Sequence, residues 1–107
     1  MFSTQLVYAH PGGHGPVDDQ QAIEIAISVT QQFVDYDPGL EFGKLNKSWK
    51  GIPASHAGIY KKGNGYFIIS VNNKELSKVL YILLSINGEV YDANFSGEFA
   101  GLNTSSP

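Results

Sequence analysis

Along the chain, apolar residues first recur at helical spacing and then switch to alternation. Between Asp18 and Asp37 they fall at Ala22, Ile23, Ala26, Ile27, Val29, Phe33 and Val34, with Thr30 on the same stripe and Ile25 off it. Asp18 followed three residues later by Gln21 is a capping-box pattern, and Asp37-Pro38-Gly39 stops the helix. The predicted helix reaches about 27 Å, the length of an eight-residue strand. Ile23, Ile25, Ile27, Val29 and Thr30 are all β-branched, so its propensity is poor and it depends on packing.

Alternation dominates the second half. Lys78 to Gly97 reads as two β-prone runs around Asn87-Gly88, a pair suited to a tight hairpin turn. A turn centred there opposes Ile86 to Glu89, Leu84 to Tyr91, Ile82 to Ala93 and Leu80 to Phe95. One face then gathers Leu80, Ile82, Leu84, Ile86, Tyr91, Ala93 and Phe95. The other carries Val79, Tyr81, Leu83, Ser85, Val90, Asp92, Asn94 and Ser96, and is the more polar. His56–Lys62 and Tyr66–Asn72 form a second hairpin around Gly63-Asn64-Gly65, with the register of the first strand left open.

The expected fold is α+β: one N-terminal helix packed on a four-stranded antiparallel meander in two layers. Between helix and sheet, residues 40–53 form a connector with a helical turn at 46–50, and Trp49 plugs one end of the core. The chain divides into a flexible leader at 1–17, a single domain at 18–97 and a small, polar tail at 98–107 that is expected to fray.

Composition narrows the partners. With 107 residues, 42% hydrophobic and 16% charged, the chain suits one modest core. The absence of cysteine removes disulfides and thiolate chemistry. Net charge is −3, and all seven basic residues are lysine. Without arginine the chain lacks the forked donor for phosphate and guanine, and Lys44, Lys47, Lys50, Lys61 and Lys62 make only a thin basic patch. No nucleic-acid partner is expected. The apolar run Val79–Leu84 is far too short to span a membrane.

Candidate chemistry is sparse. His10 and His14 lie in the leader His10-Pro11-Gly12-Gly13-His14-Gly15-Pro16, spaced to meet one borderline ion such as Zn²⁺, Cu²⁺ or Ni²⁺. His56 is the candidate third metal ligand. Val7-Tyr8-Ala9 has the small-residue pattern of a secretory cleavage site, which makes residues 1–9 the remnant of a signal peptide. The alternative is a native N-terminus or an extra edge strand. If cleavage falls after Ala9, His10 offers its amine as well as its ring. Ordering a loose leader costs about 1–2 kcal/mol per residue, so such a site binds weakly. Asp18 and Asp19 serve the helix N-terminus. Asp92, Asn94 and Ser96 wet the exposed sheet face or line a groove on it. No nucleophile elbow or phosphate loop is present, and no catalytic residues or further cofactor are assigned.

Four stretches together carry a resemblance: His10 to Pro16, Val17-Asp18-Asp19-Gln20-Gln21-Ala22-Ile23, Leu45-Asn46-Lys47-Ser48-Trp49-Lys50-Gly51 and Leu80 to Gly88. From His10 to Gly97 the chain resembles a group of small exported bacterial proteins of unknown function. Those carry an Ala-His-Gly type leader after a signal peptide, then a helix and meander similar to the PepSY fold. The resemblance implies export, with cleavage after Ala9 and a periplasmic or secreted setting. It brings no catalytic residues, and PepSY modules are mostly interaction or inhibitory domains. The expected function is therefore a non-enzymatic binding module for a peptide or protein, with weak metal capture by the leader as the alternative.

Overall fold

A computed structural model of the chain describes residues 15–102. The helix α1 spans Asp19–Asp35. Asp18 caps it: its carboxylate accepts from the Gln21 amide at 2.8 Å, and the Gln21 side chain accepts from the Asp18 amide at 2.9 Å. Two 3₁₀ turns follow, Lys47–Trp49 and Ala54–His56. Then come β1 (Ala57–Gly63), β2 (Tyr66–Asn73), β3 (Lys78–Ser85) and β4 (Val90–Asn94). All neighbours are antiparallel in the order β1-β2-β3-β4, so the protein is an α+β two-layer sandwich with a meander sheet.

The core lies between the layers. Ala22, Ile25, Ala26 and Val29 from α1 meet Phe67, Ile69 and Val71 from β2, Leu80, Ile82 and Leu84 from β3, and Ala93 from β4. Thr30 is buried too, and its hydroxyl donates to the Ala26 carbonyl at 2.8 Å, which removes the cost of an unpaired buried donor. Trp49, 2% exposed, closes one end of the core, where the Phe33, Phe42 and Phe95 rings continue the packing. Backbone bonds fasten the helix at both ends. The Val17 amide donates to the Ile86 carbonyl and the Leu45 amide to the Phe33 carbonyl, each at 2.9 Å.

Three local expectations change. Ile25 is in the core, because the helix turns that flank towards the β3–β4 loop, where Ile25 packs on Gly88. That loop contains three residues. Ser85 donates its amide to the Glu89 carbonyl, and Ile86, Asn87 and Gly88 lie between them. A two-residue turn of type I′ needs positive φ at both central residues, and here Gly88 has it (90°) while Asn87 does not. Ile86 consequently sits in the loop with its side chain exposed. The shorter return to β4 is absorbed by a bulge: Ile82 still opposes Ala93, but Leu84 opposes Val90. Tyr91 becomes the extra residue and points to solvent, while Val90 joins the core side. A matching bulge in β1 makes Tyr60 the extra residue between Ile59 and Lys61.

Leu84 is wholly buried, whereas Phe95 is 36% exposed at the core's rim. Leu84→Ala should therefore lower stability by about 2–5 kcal/mol. Phe95→Ala should cost less, and Asp92→Ala, on the outer face, about 0.5 kcal/mol or less. Urea melts give the order of the three midpoints.

Gly65 and Gly88 both hold positive φ, but a Cβ on Gly88 would lie 2.7 Å from Ile25 Cδ1, while nothing surrounds that of Gly65. Gly65→Ala should cost about 1–2 kcal/mol from the backbone alone. Gly88→Ala should cost visibly more in the same melts.

Candidate binding surface

The face of the sheet turned away from α1 carries Ile68, Ser70, Tyr81, Leu83, Asp92 and Asn94. Among the described residues no helix lies there, yet Ile68 and Leu83 are buried and belong to no part of the main core. The chain covers part of this face with its own C-terminal segment. After β4, Asn94 folds the backbone over. Its side-chain oxygen Oδ1 accepts from the backbone amides of Ser96 (3.1 Å) and Gly97 (2.8 Å), and its Nδ2 donates to the Glu98 carbonyl at 2.8 Å. Gly97 then passes directly over Tyr81: a Cβ there would lie 3.3 Å from the ring, and φ is +78°. Further on, Glu98, Phe99 and Leu102 face Tyr60, Lys61 and Ile68 across a cleft of ≈ 500 Å³. Tyr60 and Tyr81 meet edge to face at 4.7 Å between centroids.

Tail residues 98–102, expected to fray, thus lie along the sheet. The signal was present in the sequence. Asn94-Phe95-Ser96-Gly97 is a turn pattern, and Phe99 and Leu102 are apolar residues in an otherwise small and polar segment. Asn94, at the end of β4, aims the returning chain through its side-chain hydrogen bonds.

Two more clefts lie elsewhere. One of ≈ 660 Å³ sits at the start of α1, walled by Val17, Tyr66, Phe67 and Ile86. At its rim Lys62 pairs with Asp19 at 2.7 Å, both half exposed, so the pair contributes little to stability. Another of ≈ 530 Å³ runs between Val34, Leu45 and Leu76, with Lys44 and Lys47 beside it. Lys50, the third lysine of that stretch, pairs with Asp35 at 2.6 Å. The basic patch is thereby thinner in the fold than in the sequence.

His56 ends the second 3₁₀ turn, half buried, with its amide donating to the Pro53 carbonyl. His10 and His14 lie outside the described residues. Pro16 and Val17 share a cleft with Gly63 and Tyr66 at the far end of β1, and that seven-residue strand spans roughly 20 Å back towards His56. Among the described residues no group of three His, Asp or Glu side chains could hold a metal ion, and no helix is long and apolar enough to cross a membrane.

One helix on a bulged four-stranded meander, with its outer face partly covered by its own tail, defines a small α+β sandwich domain. The chain belongs to a family of unknown function (DUF6488), whose profile matches residues 1–98. No curated protein and no solved structure matches it.

Because His56 lies at the opposite end of β1 from Pro16, His56→Ala should leave any uptake of Zn²⁺, Cu²⁺ or Ni²⁺ by the full chain unchanged. Calorimetric titration beside a His10→Ala/His14→Ala variant checks this, and a loss of affinity in His56→Ala would reverse the assignment.

Proposed function

We propose that the domain is a non-enzymatic binding module that receives a peptide or protein segment on the outer face of its sheet. The observation that carries this reading is the cover over Ile68. An apolar side chain 2% exposed on the helix-free face is sheltered by tyrosines and a short irregular segment that leaves a cleft beside it. Such a face rewards an apolar side chain entering from outside. Lys61 and Glu98 on the cleft wall supply opposite charges that can orient a backbone or a polar partner.

The edges of the sheet suit recognition less well than the face. Strand addition needs a regular row of free amides and carbonyls, and β1 and β4 each break that row with a bulge at Tyr60 or Tyr91. Both tyrosines stand out from the surface and are large, rigid contact groups with a polar tip. The resemblance to exported PepSY-like proteins supports a periplasmic or secreted setting.

A photo-crosslinking phenylalanine analogue placed at position 60 tests the reading, with position 36 as control. Tyr36 is 72% exposed and lies at the end of the helix. The expected outcome is a discrete adduct from periplasmic extract at position 60 and none at 36. Equal labelling at both, or none at either, would sink the proposal.

A further inference from the structure

The segment Gly97–Leu102 is fixed at one end and lightly held along the rest. Its start is specified closely: three hydrogen bonds to Asn94 set the turn, and Gly97 is the residue type that fits over Tyr81 at positive φ. Beyond Glu98 the holding is sparse. The segment adds no strand to the sheet, and its internal backbone bond, from the Leu102 amide to the Phe99 carbonyl, is long at 3.4 Å. Phe99 and Leu102 are half buried, Glu98, Ala100 and Gly101 are exposed, and the cleft beside Ile68 stays open. A region with few buried contacts and little backbone bonding opens at low free-energy cost.

We propose that Gly97–Leu102 is a displaceable internal occupant of the binding surface, standing where a partner's chain goes. This rests on the reading of the outer face as a binding surface and names its partner class. The partner is a segment with a glycine, an aromatic residue two positions on and an aliphatic residue three further, with a turn between the last two, as in Gly97, Phe99 and Leu102. The glycine passes the Tyr81 ring, and the two apolar side chains take the places beside Tyr60 and Ile68. A competing segment gains the same burial that the tail gives up, so affinity is set by the fraction of molecules in which the tail is off.

The test uses the full chain and two variants. Gly97→Ala is strained by its φ of +78° and presses on Tyr81, whereas Leu102→Ala removes the far anchor and leaves the turn and the core alone. The probe is a fluorescein-labelled peptide Gly-Glu-Phe-Ala-Gly-Leu, followed by anisotropy, with a scrambled peptide as control. Nitration of Tyr81, read by mass spectrometry, reports whether the tail has lifted. Both variants should raise Tyr81 nitration several-fold and bind the peptide at least tenfold more tightly than the parent chain, with no gain for the scrambled sequence.

Unchanged nitration in both variants would overturn the inference, because the tail would then be a fixed part of the fold. Raised nitration without peptide binding would overturn it as well, because the vacated face would not accept such a chain. Either result leaves the crosslinking outcome at position 60 to judge the binding reading separately. Peptide binding by the variants with no adduct at position 60 would sink that reading while keeping the internal contact.

Discussion

The structure depends on the mutual burial of one helix and one sheet face. By composition α1 is a poor helix, crowded with isoleucine, valine and threonine whose side chains are stiff against the preceding turn. Its C-terminal turn has no basic residue and ends in Asp35, a charge of the wrong sign for that end of the helix dipole. Lys50, reaching from the connector, offsets that charge at 2.6 Å. The helix persists because Ala22, Ile25, Ala26 and Val29 have the sheet to lie on. The same β-branched residues that weaken it alone give broad, rigid surfaces for contact with β2 and β3. Removal of either layer leaves the other without a reason to fold.

The two bulges belong to the same economy of surfaces. A four-stranded meander has two free edges, and each could pair with a neighbouring molecule. Here the outer strands are the irregular ones, while β2 and β3 pair without interruption along eight residues each. An extra residue in an edge strand increases local twist and leaves backbone groups out of line. Regular pairing is kept where it builds the core and broken where it would invite aggregation.

The sequence made the long-period features legible. The capped helix, the strand alternation of β2 and β3, the 3₁₀ turn at Trp49 and the meander itself follow from spacing and turn residues. What escaped were choices made by neighbours. Asn87-Gly88 alone favours a two-residue turn, but Ile86 is held by other segments, which lengthens the loop and forces the bulge at Tyr91. Ile25 lies off an ideal stripe, and only the tilt of the helix over Gly88 brings it inside. On the outer face, Asn94 was legible as a polar residue near a groove. The segment it directs was hidden by a tail composition that reads as loose chain. The histidines were legible as residue types, and the fold separates His56 from the end where the leader joins.

The backbone of Ile86 deserves comparison with its side chain, which faces water and makes no demand on residue type. Its amide donates to the Gly65 carbonyl at 3.0 Å and its carbonyl accepts from Val17, so the backbone of one residue ties together the helix entry, the first hairpin and the second. Any residue except proline can occupy the position, yet nothing can replace the bonds. Because synthesis delivers the N-terminus first, Val17 emerges long before its partner, and the helix has no finished surface to dock on until the second hairpin arrives. The domain is therefore obliged to close late and all at once, with its first residues waiting on nearly its last.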